Sequence, residues 1–166
     1  MSDTMVRMGE LAASKAAGAS LVTLGLGSCI GLVLLDRRVG VAGLAHIVLP
    51  DSTGHDEVNP LKFADRAVPE LLRRVVALGA RKPLVEAVLV GGASMFAGIG
   101  GSMEVGARNE AAVLAALGGL RVRVNAAATG GSRGRTVRVD PGRGIVLVRE
   151  AGGKDRQLHP PVAPAA

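Results

Sequence analysis

Leu21-Val-Thr-Leu-Gly-Leu-Gly-Ser-Cys-Ile-Gly-Leu-Val-Leu-Leu-Asp-Arg-Arg-Val-Gly-Val-Ala-Gly-Leu-Ala-His-Ile-Val-Leu49 carries the only cysteine of the chain and, seventeen residues further on, one of its three histidines. Ile30 to Leu35 is apolar, Asp36-Arg37-Arg38 supplies a polar reversal, and Val39 to Leu49 is apolar again apart from Gly40, Gly43 and His46. This pattern predicts two strands joined by a tight turn. Side chains alternate along a strand, so the loop length decides whether Cys29 and His46 share a face. If Arg37 and Arg38 form a two-residue loop, Cys29 falls directly opposite His46, with Cβ atoms roughly 5 Å apart. A four-residue loop puts Cys29 opposite Val48 and leaves His46 a diagonal neighbour on the same face at roughly 7 Å. A three- or five-residue loop sends the two side chains to opposite faces. On one face they make a nucleophile and its base, because imidazole titrates near neutrality and can take the thiol proton.

A chain of 166 residues has the size of one domain, and a globule of this length can bury about 70% of the surface its unfolded chain exposes. Its core must be aliphatic, because there are two Phe and neither Trp nor Tyr. A single cysteine forbids an internal disulfide and points to a reducing compartment, the cytoplasm. Residues 16–35 are uncharged over about the length of a bilayer span, but Gly18, Gly25, Gly27, Gly31, Thr23 and Ser28 interrupt the run and argue against membrane insertion. Asp3 and Glu10 stand where a secretory leader would be basic. The net charge of +6 suits an acidic partner or simple solubility. Nucleic acid is disfavoured, since single strands would find no aromatic stacking platform. Gly25-x-Gly27-x-x-x-Gly31 is one residue too long for a dinucleotide fingerprint and no Walker lysine is present. The three histidines and one cysteine lack any metal-ligand spacing, so neither cofactor nor metal is expected.

Beyond the hairpin, Val6–Leu11 reads as a short strand and Ala12–Ala17 as a helical turn or loop. Pro50–Pro60 is a polar loop containing His55, a residue expected in solvent. Asn59-Pro60 reads as a helix N-cap and first turn, followed by an apolar stripe from Leu61 to Val76. Pro69 predicts a kink near Asp65 or a helix that starts afresh near Val68. Leu84–Val90 is a buried strand ending at Gly91-Gly92, and the glycine-rich segment to Gly101 is a loop. Asn109 is read as the cap of a second helix, Glu110–Leu117, with Gly118 its terminator. Leu120–Val124 alternates as a half-buried strand. Thr136–Val139 and Ile145–Val148 flank a second hairpin turn. Arg121, Arg123, Arg133, Arg135 and Arg138 read as a solvated face, and residues 151–166 as a disordered tail after a domain covering 1–150. The pattern supports an α+β fold with largely antiparallel strands, two hairpins and two main helices.

Thr23-Leu-Gly-Leu-Gly-Ser-Cys29 and Gly43-Leu-Ala-His46-Ile-Val-Leu-Pro-Asp-Ser52 resemble the CheD family of chemoreceptor glutamine deamidases. Phe63-Ala-Asp65, Gly91-Gly-Ala-Ser-Met-Phe96, Gly106-Ala-Arg-Asn109, Thr129-Gly-Gly131 and Gly134-Arg135 recur in the family's order, so the resemblance covers roughly residues 8–150. The family often has Tyr at the position of Phe63, and usually acidic residues at those of Ala127 and Ala128. The resemblance implies a layered α/β sandwich with mixed sheets. It implies Cys29 as nucleophile, His46 as general base and Thr23 as the residue that orients the imidazole. It also implies deamidation of glutamines in chemoreceptor cytoplasmic domains, an extension to glutamyl methyl esters, and a CheC-type phosphatase as partner where one exists.

A Thr23 hydroxyl accepting the second ring N–H of His46 would fix the tautomer that faces Cys29. The glycines around Cys29 allow tight backbone near a reacting carbonyl; Gly27, Ser28, Gly91 and Gly92 are candidates for the oxyanion site or substrate loop, along with the N–H of Cys29. Two other readings use the same residues: a thiol-protease-like hydrolase, and a non-catalytic chemotaxis module with a buried structural cysteine.

Overall fold

The computed structural model describes residues 2–55, 59–94 and 103–162. Two helices and ten strands occur there: β1 Ser2–Met5, β2 Leu11–Ser14, β3 Ala19–Leu26, β4 Ile30–Asp36, β5 Val41–Ile47, α1 Ala64–Ala77, β6 Glu86–Gly91, α2 Met103–Gly119, β7 Arg123–Thr129, β8 Arg135–Asp140, β9 Ile145–Glu150 and β10 Arg156–His159. They form two five-stranded sheets, ordered β1-β3-β8-β9-β10 and β2-β5-β4-β6-β7. Pairing is antiparallel except for β1 with β3 and β6 with β7. The fold is the expected α+β layered sandwich.

Strand β4 shows why the layers stack. Its side chains alternate, and both faces are apolar. Ile30, Leu32 and Leu34 point to the helices, packing with Ala67, Val68 and Leu71 of α1 and Val113 and Leu117 of α2. Val33 and Leu35 point the other way, into a second core with Leu21, Leu26, Val137 and Val148 of the facing sheet. A strand buried on both faces must have a layer on each side.

The β4–β5 pairing runs from Ile30↔Ile47 to Asp36↔Val41, which leaves the four-residue loop Arg37–Gly40. Of the two even loop lengths left open by the sequence, the structure has the longer. Gly40 closes the reversal at φ +68°, a left-handed conformation that neither Arg37 nor Arg38 adopts cheaply. Asp36 Oδ1 accepts from the backbone N–H of Arg38 at 3.1 Å and helps to shape the turn.

Several boundaries differ from expectation. The N-terminal region holds two strands, with Val6–Glu10 as their connection, and Ala12–Ser14 lies in β2 rather than a helical turn. Asn59 caps only a single 3-10 turn, Pro60–Lys62, and α1 starts at Ala64. Pro69 does not break α1: it lies in the second turn, where the hydrogen bond it removes would have ended at Asp65 in the first turn, close to the free helix end. Asn109 is not a cap, because α2 already begins at Met103 and Asn109 is buried within it. Gly118 does not stop α2, which ends at Gly119; a turn with Arg121 at positive φ follows, and β7 starts at Arg123. Arg156–His159 is a strand paired with β9, so ordered structure continues into the expected tail. The loop expected up to Gly101 falls at residues 95–102 outside the described residues, as does the end of the tail at 163–166. His55 is exposed, as expected, with its ring centroid 5.0 Å from that of Phe63. Among the described residues no helix is long and apolar enough to cross a membrane.

Candidate active site

His46 lies on β5 opposite Gly31, on the face that looks into the core between the sheets. Thr23 reaches it from β3 of the facing sheet. The Thr23 Oγ1 to His46 Nδ1 distance is 2.7 Å, and Thr23 Oγ1 lies 2.6 Å from the carbonyl oxygen of Val6. A carbonyl can only accept, so the hydroxyl proton of Thr23 is directed at Val6 and its oxygen accepts from Nδ1–H. This chain of donors fixes one tautomer and leaves the lone pair on Nε2. Thr23 and His46 are 1% and 6% exposed, which shields the relay from water.

Cys29 lies in the bend between β3 and β4, half-buried against the core between the sheets. Extending the β4–β5 register by one position places it across from Val48, with His46 its diagonal neighbour on the same face. The sulfur and the ring make no hydrogen bond with each other in this structure. Thr23 and His46 are thus in contact, and Cys29 lies on the same face at the same end of the central strands.

The bend is held by its carbonyls. Gly27 O accepts from Ala93 N at 2.8 Å and Cys29 O from Gly92 N at 2.9 Å. Ser28 O accepts from Asn109 Nδ2 at 2.9 Å, and the same amide donates at 3.0 Å to Val48 O, at the end of the strand that carries His46. Asn109 therefore ties the cysteine bend to the histidine strand, a role the sequence reading missed. The signal available was only an asparagine among alanines on a helix face that must be buried. Its Oδ1 is buried with no partner among the described residues, so the donors rather than the acceptor explain its presence.

While these three successive carbonyls are bonded, the N–H groups of Ser28 and Cys29 donate to no described residue. The N–H of Gly92 is already used on Cys29 O, which removes it from the set of oxyanion donors. Gly91 serves a different need: at φ +111°, a Cβ there would overlap the Cys29 carbonyl oxygen. Behind it, Arg135 Nη1 donates to Gly130 O at 2.7 Å and Gly91 O at 3.3 Å. Arg135 is 7% exposed, which corrects its reading as part of a solvated face.

Burial pushes the Cys29 thiol above its ordinary pKa. Burial pulls His46 below 6.5, with the Val6 carbonyl and the Glu10 charge opposing that shift only in part. At neutral pH the pair is a thiol beside a neutral imidazole, a combination suited to proton transfer during attack rather than to a standing ion pair. No group of His, Cys, Asp and Glu suited to holding a metal occurs among the described residues.

The model of the CheD family, described as CheD chemotactic sensory transduction, matches residues 48–150. The probable chemoreceptor glutamine deamidase CheD of Clostridium kluyveri is 45% identical over 135 residues, covering 80% of this chain and 83% of the relative. A protein of the same name from Methanococcus vannielii is 43% identical over 145 residues, covering 87% and 93%. Among solved structures, a Bacillus licheniformis hypothetical protein, YfiH, aligns with TM-score 0.39 and 11% identity over 71% of this chain and 51% of that one.

Proposed function

The chain belongs to the CheD family, and from that premise we propose that it is a cysteine-dependent deamidase of protein-bound glutamine in chemoreceptors, working in the cytoplasm. The observation that carries the mechanism is the buried Val6–Thr23–His46 relay, which presents an unprotonated Nε2 on the face shared with Cys29. As Cys29 Sγ attacks the carboxamide carbon, its proton passes to His46 Nε2. The N–H groups of Ser28 and Cys29 hold the oxyanion. Collapse of the tetrahedral adduct breaks the C–N bond, and His46 returns the proton to the departing ammonia. The thioester is then attacked by water, whose proton again goes to His46, and glutamate is released as the thiol re-forms. Hydrogen bonds of this kind commonly tighten only when substrate is bound, in keeping with the unbonded sulfur here. Glutamyl methyl esters lead to the same acyl-enzyme and are a second substrate. A CheC-type phosphatase is the partner the family resemblance implies.

The test is intact-mass analysis of receptor cytoplasmic fragments incubated with wild type, Cys29→Ala and His46→Ala. Wild type should produce the small mass gain of amide-to-acid conversion, with ammonia released and no chain cleavage. Neither variant should produce it. Cleaved fragments would favour a protease, and an unchanged mass gain in a variant would remove that residue from the mechanism.

A further inference from the structure

A charged cavity lies at the opposite end of the central sheet from Cys29. It encloses about 450 Å³, and its lining includes Asp36, Arg37, Arg38, Glu86, Arg121 and Arg123. Asp36 and Cys29 are separated by the length of β4, roughly 20 Å at the rise of a strand.

The charges in this cavity do not balance. Glu86 is occupied by Arg37, whose Nε and Nη2 donate at 2.6 and 3.1 Å, and by Asn125 Nδ2 at 3.3 Å. Asp36, 1% exposed, accepts from the backbone N–H of Arg38 and of Arg81 and from Arg81 Nε at 3.3 Å. Burial alone would raise the Asp36 pKa, but these donors outweigh it and hold the carboxyl below its ordinary value. Arg37 does the same for Glu86. Both acids are thus ionised and already committed. The guanidinium groups of Arg38, Arg121 and Arg123 make no hydrogen bond or ion pair with any described residue.

Arg121 adds an independent observation. It is the only non-glycine residue at positive φ among the described residues, at 60°. It follows the last turn of α2, where Arg121 N donates to Gly118 O and Val122 N to Leu117 O. Glycine commonly fills such a position, and an L side chain there costs roughly 1 kcal/mol. The chain accepts that cost at a residue that lines the cavity.

We propose that this cavity is a binding site for a small polyphosphate anion, held by Arg38, Arg121 and Arg123. Planar guanidinium forks match phosphate oxygens in bidentate fashion. The three arginines come from the β4–β5 loop, the turn after α2 and β7, and all three line this one cavity. No aromatic ring lines the cavity, so a nucleobase would gain no stacking and the phosphates supply the affinity.

The experiment is calorimetric titration of the full chain with inorganic pyrophosphate, orthophosphate and ADP at about 0.1 M salt, on wild type, Arg121→Gly, Arg123→Gln and Arg66→Gln. Pyrophosphate should saturate one site and bind more tightly than orthophosphate, with ADP no tighter than pyrophosphate. Arg121→Gly relaxes the backbone, so it should melt no lower than wild type while binding pyrophosphate roughly tenfold more weakly. Arg123→Gln should show a similar loss. Arg66→Gln removes the same charge from α1 and should leave affinity within about twofold. Absence of saturable pyrophosphate binding, an unchanged affinity in Arg121→Gly, or an equal loss in Arg66→Gln would overturn the site. ADP binding more than tenfold tighter than pyrophosphate would overturn phosphate as the recognised group. None of these readouts involves Cys29, so their failure leaves the deamidase reading untouched.

Discussion

The two ends of strand β4 solve opposite problems. At the Ile30 end, every carbonyl of Gly27, Ser28 and Cys29 is bonded and the two titratable groups are held neutral by burial. At the Asp36 end, ionised side chains crowd a cavity and three guanidiniums have no partner among the described residues. The first end is fixed by hydrogen bonds to main-chain carbonyls, from Gly92, Ala93 and the Asn109 side chain. The second is fixed by a few ion pairs and keeps a surplus of charge. The bend beside Cys29 has its carbonyls bonded and two N–H groups left over, whereas the cavity has guanidiniums left over.

The sharpest break in this comparison is Thr23→Val, which removes the acceptor for Nδ1–H and leaves the His46 tautomer unfixed. Deamidation, followed by ammonia release, should fall by about 10²- to 10⁴-fold, the usual worth of a positioned base. Thr23→Ser should keep most of it, while either substitution should leave pyrophosphate binding at the far end unchanged. Gly91→Ala comes next: the new Cβ must displace the Cys29 carbonyl, and about a 10²-fold loss of kcat follows from misplacing the nucleophile. Asn109→Ala strips donors from the carbonyls of Ser28 and Val48 and should destabilise the fold by about 2–4 kcal/mol in urea unfolding. Its kcat should fall more than its KM rises, because the clamp sets the cysteine against the histidine strand.

A smaller effect is expected with pH. His46 must be neutral to act as base and its pKa is depressed, so kcat/KM should rise with pH through a midpoint below 6.5 and then level off. Stability follows the same sign: the contribution of neutral buried His46 is present above its unfolded pKa and is lost as pH falls through the lower folded value. An acid limb centred above 6.5 would contradict burial as the dominant influence on this ring. Least of all should Arg37→Gln matter at the other end. Its side chain is 43% exposed, so loss of the pair with Glu86 should cost under about 1 kcal/mol in thermal unfolding.

Strand β4 was legible because an apolar run broken by Asp36-Arg37-Arg38 has few alternatives, and period-two alternation tied Cys29 and His46 together whichever even loop was used. Alternation could not choose between two and four residues; Gly40 did, through a conformation that only the backbone reveals. Thr23 was found through the family resemblance, and its chemistry could be reasoned from its hydroxyl. Val6 could not, since its contribution is a carbonyl that any residue carries. Asn109 and Arg135 were misplaced for a common reason: polar side chains were assigned to caps and surfaces, while here they satisfy main-chain carbonyls brought near by the tertiary fold. Residues 156–159 were taken for tail because Gly152, Gly153 and the nearby prolines dominate the composition there, although the short strand finds an edge to pair with on β9.

The acceptor that aims the Thr23 hydroxyl belongs to the main chain, directly after β1, the exposed edge strand of its sheet. Point substitution at residue 6 cannot delete it; only peeling that border strand can. Competence for proton transfer is thereby coupled to fraying at one margin of the molecule, and the amide of Val6, bonded to Val22 O at 2.8 Å, is where hydrogen exchange would register the loss first.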